Sequence, residues 1–318
     1  MVAATSLSEN LPADTFSDKL GPVFVKELRQ GLRARRFTAP FLIIHALAIT
    51  IVAIQFALKL ASQSGSSAFS ELDMFIGVML DQLLLMLLWL IVGIVMPLTG
   101  INALQSELTS GRNVELLVMA GMTRWQIMRG KWLVLCALSG LIMISMLPYM
   151  FSLYFSGGVE LVNQITQFAN IWLLNIVMSA VIIGASGLRH LMGRLLVTGI
   201  TFFSFTLTSL FALINVPAAL SLGSNYWMII VAVLNYLLVA SLYSMYGLQL
   251  GRDSLRLYRN PMDPSVAGLI IGMIIFTPVA VGVSLLFGFV GPILALLALF
   301  SLTHALSNPT SNISNLKP

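Results

Sequence analysis

Uncharged apolar runs of about twenty residues recur from Thr38 almost to the end of the chain, and they set the predicted elements. Candidate membrane spans lie near 39–60, 82–101, 132–155, 168–187, 195–214, 226–247 and 266–286, with a weaker eighth at 288–306. Each of the first seven has about the 20 residues that a helix rising ~1.5 Å per residue needs to cross ~30 Å of hydrocarbon. No segment alternates as a barrel strand does, so backbone hydrogen bonding in lipid leaves the helix as the physical choice. Gly288, Gly291 and Pro292 break the start of the eighth run, which reads as a full span or a re-entrant piece. Ahead of the first span, residues 20–36 place Leu20, Val23, Phe24, Leu28 and Leu32 on one helical face. Lys26, Arg29, Gln30, Arg33 and Arg36 occupy much of the remainder. That pattern predicts an amphipathic interfacial helix over 20–37. Residues 1–19 are polar, lack the apolar core of a signal peptide, and read as a flexible tail.

Composition agrees with the pattern. Of 318 residues, 58% are hydrophobic and 9% charged, against about a quarter charged in soluble domains. A water-soluble enzyme, a disordered regulator and a secreted disulfide scaffold are excluded. Cys136 is the only cysteine, so neither an internal disulfide nor a multi-cysteine metal site can form. The net charge of +5 reflects topology rather than nucleic-acid binding. Residues 19–36 carry Lys19, Lys26, Arg29, Arg33, Arg35 and Arg36; the second connection carries Arg112, Arg124, Arg129 and Lys131; the fourth carries Arg189 and Arg194; the sixth carries Arg252, Arg256 and Arg259. The alternate connections, 61–81, 156–167, 215–225 and 287–291, contain no Lys or Arg. By the positive-inside rule this predicts about eight spans with both termini cytoplasmic. Lys59 alone falls on the other side, at a helix end from which it can snorkel.

The second connection has the most structure. The second span is expected to continue about two turns into the cytoplasm, as far as Thr109 to Gly111, where Gly111 is a natural stop. A short amphipathic helix fits 112–120, with Val114, Leu117 and Val118 on one side, and Gly121 ends it. Thr123 and Gln126 have the capping-box spacing, so the third span's helix begins there. The arrangement reads either as a lever between two spans or as a well-capped membrane-surface loop.

The string Glu107-Leu-Thr-Ser-Gly111-Arg-Asn-Val-Glu115-Leu116-Leu117, followed by Thr123-Arg124-Trp125-Gln-Ile127 and Gly130-Lys131, resembles the cytoplasmic loop of type-2 ABC transporter permeases. The opening Pro22-Val-Phe-Val-Lys26-Glu27-Leu28-Arg29 resembles that family's N-terminal interfacial helix. The likeness follows the order of elements over about 20–250 and is residue-specific at 20–36 and 107–131. Asn113 stands where the family often has Thr, and two segments follow the usual six spans. The resemblance implies an all-α polytopic bundle: a six-span core at 38–250, an added C-terminal hairpin at 251–307 and a cytoplasmic tail at 308–318. It further implies a permease subunit, an exporter working by alternating access, that pairs with a second copy or a sister permease in a bacterial inner membrane. A separate ATPase subunit would dock on a coupling helix, with Glu107, Gly111, Arg112, Val114, Glu115, Leu117, Val118 and Arg124 at the interface. Lys26, Glu27, Arg29, Arg33, Arg35 and Arg36 of the interfacial helix would meet that subunit or the membrane lipids.

Other chemistry is sparse. No G-x-x-x-x-G-K-[ST] occurs, so this chain cannot be the ATPase, and ATP would be bound only by the partner. No cofactor site or catalytic residue is expected. His45, His190 and His304 are scattered, without metal-ligand spacing, and no nucleophile–histidine–carboxylate order appears. Asp81 reads as a headgroup-level carboxylate at the outer edge of the second span, or as a gate or a partner for Lys59. Asn175 and Asn235 are expected to make interhelical hydrogen bonds, and Gly268 and Gly272 form a packing motif. Pro97, Pro148, Pro217 and Pro278 are candidate kinks. Two other readings stand beside the permease: a non-transporting membrane scaffold, and an ion-coupled secondary transporter, which would usually place carboxylates near the midplane.

Overall fold

The computed structural model describes residues 22–63, 67–105, 123–156, 161–188, 190–221 and 226–255, and singly 297 and 301. Among these, every regular element is helical: α1 Pro22–Arg33, α2 Arg35–Gln63 and α3 Ser67–Leu90 come first. α3 continues through one π-helical turn, Ile91–Val95, into the short α4, Met96–Leu98; then come α5 Arg124–Ser156, α6 Leu161–Ala185, α7 Leu191–Ser221 and α8 Tyr226–Ser254. Four stretches are long and apolar enough to cross a bilayer: Arg35–Ala61, Phe75–Leu98, Arg124–Phe155 and Leu161–Ala185. They correspond to the first four predicted spans. α6 begins a turn or two before the predicted 168, because Asn163, Gln164 and Gln167 dilute the apolar run there without breaking the helix. α7 and α8 cover the fifth and sixth candidates with 31 and 29 residues. The tails, the stretch 106–122 and the two C-terminal candidates at 266–286 and 288–306 lie outside the described residues, apart from the single positions noted above.

α6 is the centre of the bundle, packed by α5, the π turn, α7 and α8, while α2 leans on α3 and α5. One apolar core joins α1, α2, α3 and α5 through Phe24, Ile44, Leu88, Ile142 and Met146. A second joins α6, α7 and α8 through Val177, Val181, Phe205, Tyr243 and Leu250. Without a hydrophobic driving force between helices in lipid, close contact depends on small residues, and the α6–α8 crossing is built on them. A Cβ on Gly247 would stand 2.7 Å from the Val181 Cα, and one on Gly184 would run into the Gly247 carbonyl. Only glycine lets these two backbones meet.

The α1–α2 junction is a one-residue break at Ala34, whose N–H donates to the Gly31 carbonyl at 3.1 Å and whose carbonyl accepts from Phe37 N–H at 2.9 Å. α1 turns Phe24, Glu27, Leu28 and Gly31 inward, while Leu32, expected on the apolar face, is exposed. The helix is rotated from the expected stripe because Gly31 admits the Leu138 side chain of α5; a Cβ there would lie 2.8 Å from Leu138 Cδ1.

Candidate functional site

The polar side chains that tie helices together lie at one end of the bundle and at points along its interior. That end carries Arg124, Lys131 and Arg194. α5 starts there with the predicted capping box: Thr123 N–H donates to Gln126 Oε1 at 2.9 Å, and Gln126 N–H donates to Thr123 Oγ1 at 3.3 Å. Two of the orphan donors of the helix start are satisfied reciprocally. One turn on, Arg129 lies over the Trp125 ring at 4.7 Å. Lys131 Nζ then donates to Glu27 Oε1 at 2.5 Å, with side chains 6% and 25% exposed. A lysine so buried needs its partner, so this pair pins α1 to the base of α5. Trp132 Nε1–H donates to the Ile176 carbonyl at 3.1 Å, adding α6 to the same joint.

On the other side of residues 106–122, the expectation of an unbroken helix to Thr109 is corrected. After Leu98 the chain makes successive i→i−3 turns, with Thr99, Gly100, Ile101 and Ala103 N–H donating to the Met96, Pro97, Leu98 and Gly100 carbonyls. Gly100 sits so close to α5 that a Cβ would lie 2.6 Å from Leu135 Cδ1. The turns are fastened to the α6–α7 connection. Leu104 N–H donates to Ser186 Oγ at 3.2 Å, and Ser186 Oγ donates to the Ile183 carbonyl at 2.6 Å. Arg194, only 2% exposed, donates from Nε to the Leu188 carbonyl at 2.8 Å and from Nη1 to Asn102 Oδ1 at 2.8 Å. Nη1 also reaches the Ile101 carbonyl at 3.5 Å. A planar, always-charged fork suits this triple role. Thus both ends of the second connection, at 101–104 and at 123–131, leave the bundle from anchored points.

The other contacts are spread along the inside of the bundle. In the π turn, Met96 N–H donates to the Ile91 carbonyl instead of to Val92. The next N–H that could serve Val92 belongs to residue 97, a proline without one. Asn175 of α6 fills the vacancy: its Nδ2 donates to the Val92 carbonyl at 2.6 Å and to Ser139 Oγ of α5 at 2.9 Å. The interhelical bond expected of Asn175 is therefore present; the Asn235 side chain lies outside the described residues. Tyr236 OH donates to Asn170 Oδ1, linking α8 to α6. Asp81 is packed between α3 and α6. It is 2% exposed and accepts from Gln164 Nε2 at 2.7 Å, because the polar first turns of α6 face α3 there. Its partner is Gln164, not Lys59.

Of the residues expected at the coupling interface, Arg124 is the first residue of α5 and half-buried. Glu107, Gly111, Arg112, Val114, Glu115, Leu117 and Val118 lie outside the described residues, as do Gly268 and Gly272. On the interfacial helix and its junction, Lys26, Arg29, Arg33, Arg35 and Arg36 are exposed and Glu27 is engaged with Lys131. Arg194 and Lys131 read in the sequence as loop charges, with no sign there of their partners. Only the position of each charge within reach of an apolar helix start hinted at burial. His45 Nδ1 donates to its own helix at the Phe41 carbonyl, 2.7 Å away, and His190 is exposed. Among the described residues no three His, Cys, Asp or Glu side chains gather as a metal site would require. No protein-family model matches the chain, and searches of curated proteins and of solved structures find no match either.

Proposed function

We propose that this chain is the permease subunit of an ATP-driven ABC exporter, coupled to a separate ATPase subunit. The observation that carries the reading is the anchoring of both ends of the second connection, with α1 pinned beside one of them by Glu27 and Lys131. A lever transmits motion only if its ends are fixed to what it moves. Here one end is fixed to the turns after α4 and to the α6–α7 connection, and the other to α5. The apolar face Val114, Leu117 and Val118 would fill a groove on the ATPase. Glu107, Arg112, Glu115 and Arg124 would set its register through rim charges, which add little affinity. Eight spans, cytoplasmic termini, a bacterial inner membrane, a path shared with a second copy or sister permease, and alternating access complete the proposal.

Leu117→Asp puts an unpaired carboxylate into that groove, a cost of several kcal/mol by burial arguments (about 3–5). In the reconstituted complex it should abolish copurification of the ATPase and substrate-stimulated ATP hydrolysis while leaving the membrane subunit folded. Intact assembly and stimulation would favour the scaffold reading instead. The burial of Asp81 favours a second reading, an ion-coupled carrier. In that case Asp81→Asn would stop transport driven by an ion gradient in vesicles lacking ATP.

A further inference from the structure

Lys26, Arg29, Arg33, Arg35 and Arg36 stand exposed on α1 and the first turn of α2, and among the described residues none of them has an acidic partner. The one carboxylate on this stretch, Glu27, faces the other way and is neutralised by Lys131. The pairing has a consequence for charge: it removes the counter-ion that could have sat among the five cations. α1 cannot turn to hide them, because Phe24 is buried and Gly31 is fitted against Leu138. Arg35 and Arg36 begin a helix long and apolar enough to cross a bilayer, so the cationic face lies at the height where that helix enters the membrane.

We propose that this face is a binding surface for anionic phospholipid headgroups. The lipid phosphates are the counter-charges that the described residues do not supply, and the planar guanidinium fork of four of the five residues suits a phosphate diester. A basic stretch next to a span attracts an anionic leaflet by an amount that makes each charge worth about a fivefold change in affinity. The helix that carries the face is already seated through Phe24 and Gly31, so binding orders side chains but no backbone. This inference rests on the membrane-spanning character of α2 and not on the transporter reading.

The test uses the purified full chain in vesicles of phosphatidylcholine alone or mixed with phosphatidylglycerol, with a photoreactive residue at the exposed position Gln30. Cross-linking should yield phosphatidylglycerol adducts far above its share of the lipid. Added salt should suppress the excess, since the screening length shortens to ~3 Å at 1 M. Arg29→Gln with Arg33→Gln should lower the preference by about twenty-fivefold, two charges at about fivefold each. A control variant, Asn163→Ala at an exposed position near the start of α6, should leave it unchanged. Adducts that follow the bulk lipid ratio, or a preference that survives the double arginine variant, would overturn the proposal. So would a double variant that leaves lipid adducts unchanged but loses an ATPase subunit on purification, since the face would then belong to a protein partner.

Discussion

α2 and α6 are both apolar helices of membrane-crossing length, yet they are held in opposite ways. In the most apolar stretch of α2 only 22% of residues are buried, against 72% in α6. The difference lies in where their polar side chains reach. On α2, Thr38, His45 and Thr50 each bond back to a carbonyl four residues earlier in the same chain. On α6, Gln164, Asn170 and Asn175 reach across to α3, α8, the π turn and α5. A side chain satisfied by its own helix asks nothing of a neighbour, and such a helix can face lipid. One whose amide has no local partner recruits a second helix, because in hydrocarbon the alternative is an unsatisfied group.

The contrast can be broken most sharply at the glycine crossing. Gly247→Leu should prevent α8 from seating on α6, at a cost of about 3 kcal/mol or more from overpacking against backbone. The expected outcome is loss of monodisperse protein in size-exclusion chromatography. Gly199→Leu on α7, where nothing lies within 4 Å of a Cβ, and Ile49→Ala on the exposed side of α2 should each change thermal stability by less than about 0.5 kcal/mol. If Ile49→Ala proved as damaging as Gly247→Leu, the peripheral role given to α2 would be wrong.

A smaller effect is expected at the amide. Asn175→Leu removes two donated bonds and strands the Val92 carbonyl, for about 1–2 kcal/mol of stability, read as the melting shift of the detergent-solubilised protein. Smaller again is the charge pair at the base. Glu27→Gln should cost about 1 kcal/mol, well below the figure for a fully buried pair because Glu27 keeps contact with solvent. Combining Glu27→Gln with Lys131→Met should recover most of that loss. A double variant no better than the single would mean that the pair contributes geometry rather than charge compensation.

These residues also divide what was legible in the sequence from what was not. The Thr123–Gln126 cap could be read because both partners lie within one turn, and spacing alone fixes that geometry. The first four spans were visible from apolar runs, and Asn175 announced a cross-helix bond by being an amide in such a run. Glu27 with Lys131, Asp81 with Gln164, and Arg194 with Asn102 are pairings between distant parts of the chain. Charge patterning says nothing of such neighbours. The Gly-x-x-x-Gly signal drew attention to Gly268 and Gly272, outside the described residues; the same spacing at Gly247 and Gly251 is packed. There a Cβ on Gly251 would lie 3.0 Å from Met128 Sδ and 3.1 Å from the Gly184 Cα. The helix after the second span looked continuous because no strong breaker precedes Thr109; the capture of Leu104 by Ser186 is a tertiary event with no local signature.

The partnership between Pro97 and Asn175 makes the two positions epistatic. Proline at 97 removes the N–H that would otherwise serve the π turn, and Asn175 answers the Val92 carbonyl from another helix. A chain that lost Asn175 while keeping Pro97 would carry an orphaned carbonyl in its core. One that first exchanged Pro97 for alanine would regain a main-chain donor and could then lose the amide cheaply. The order in which the two changes are made therefore decides whether the intermediate is sound. The harm of Asn175→Leu should shrink when it is introduced into a Pro97→Ala background.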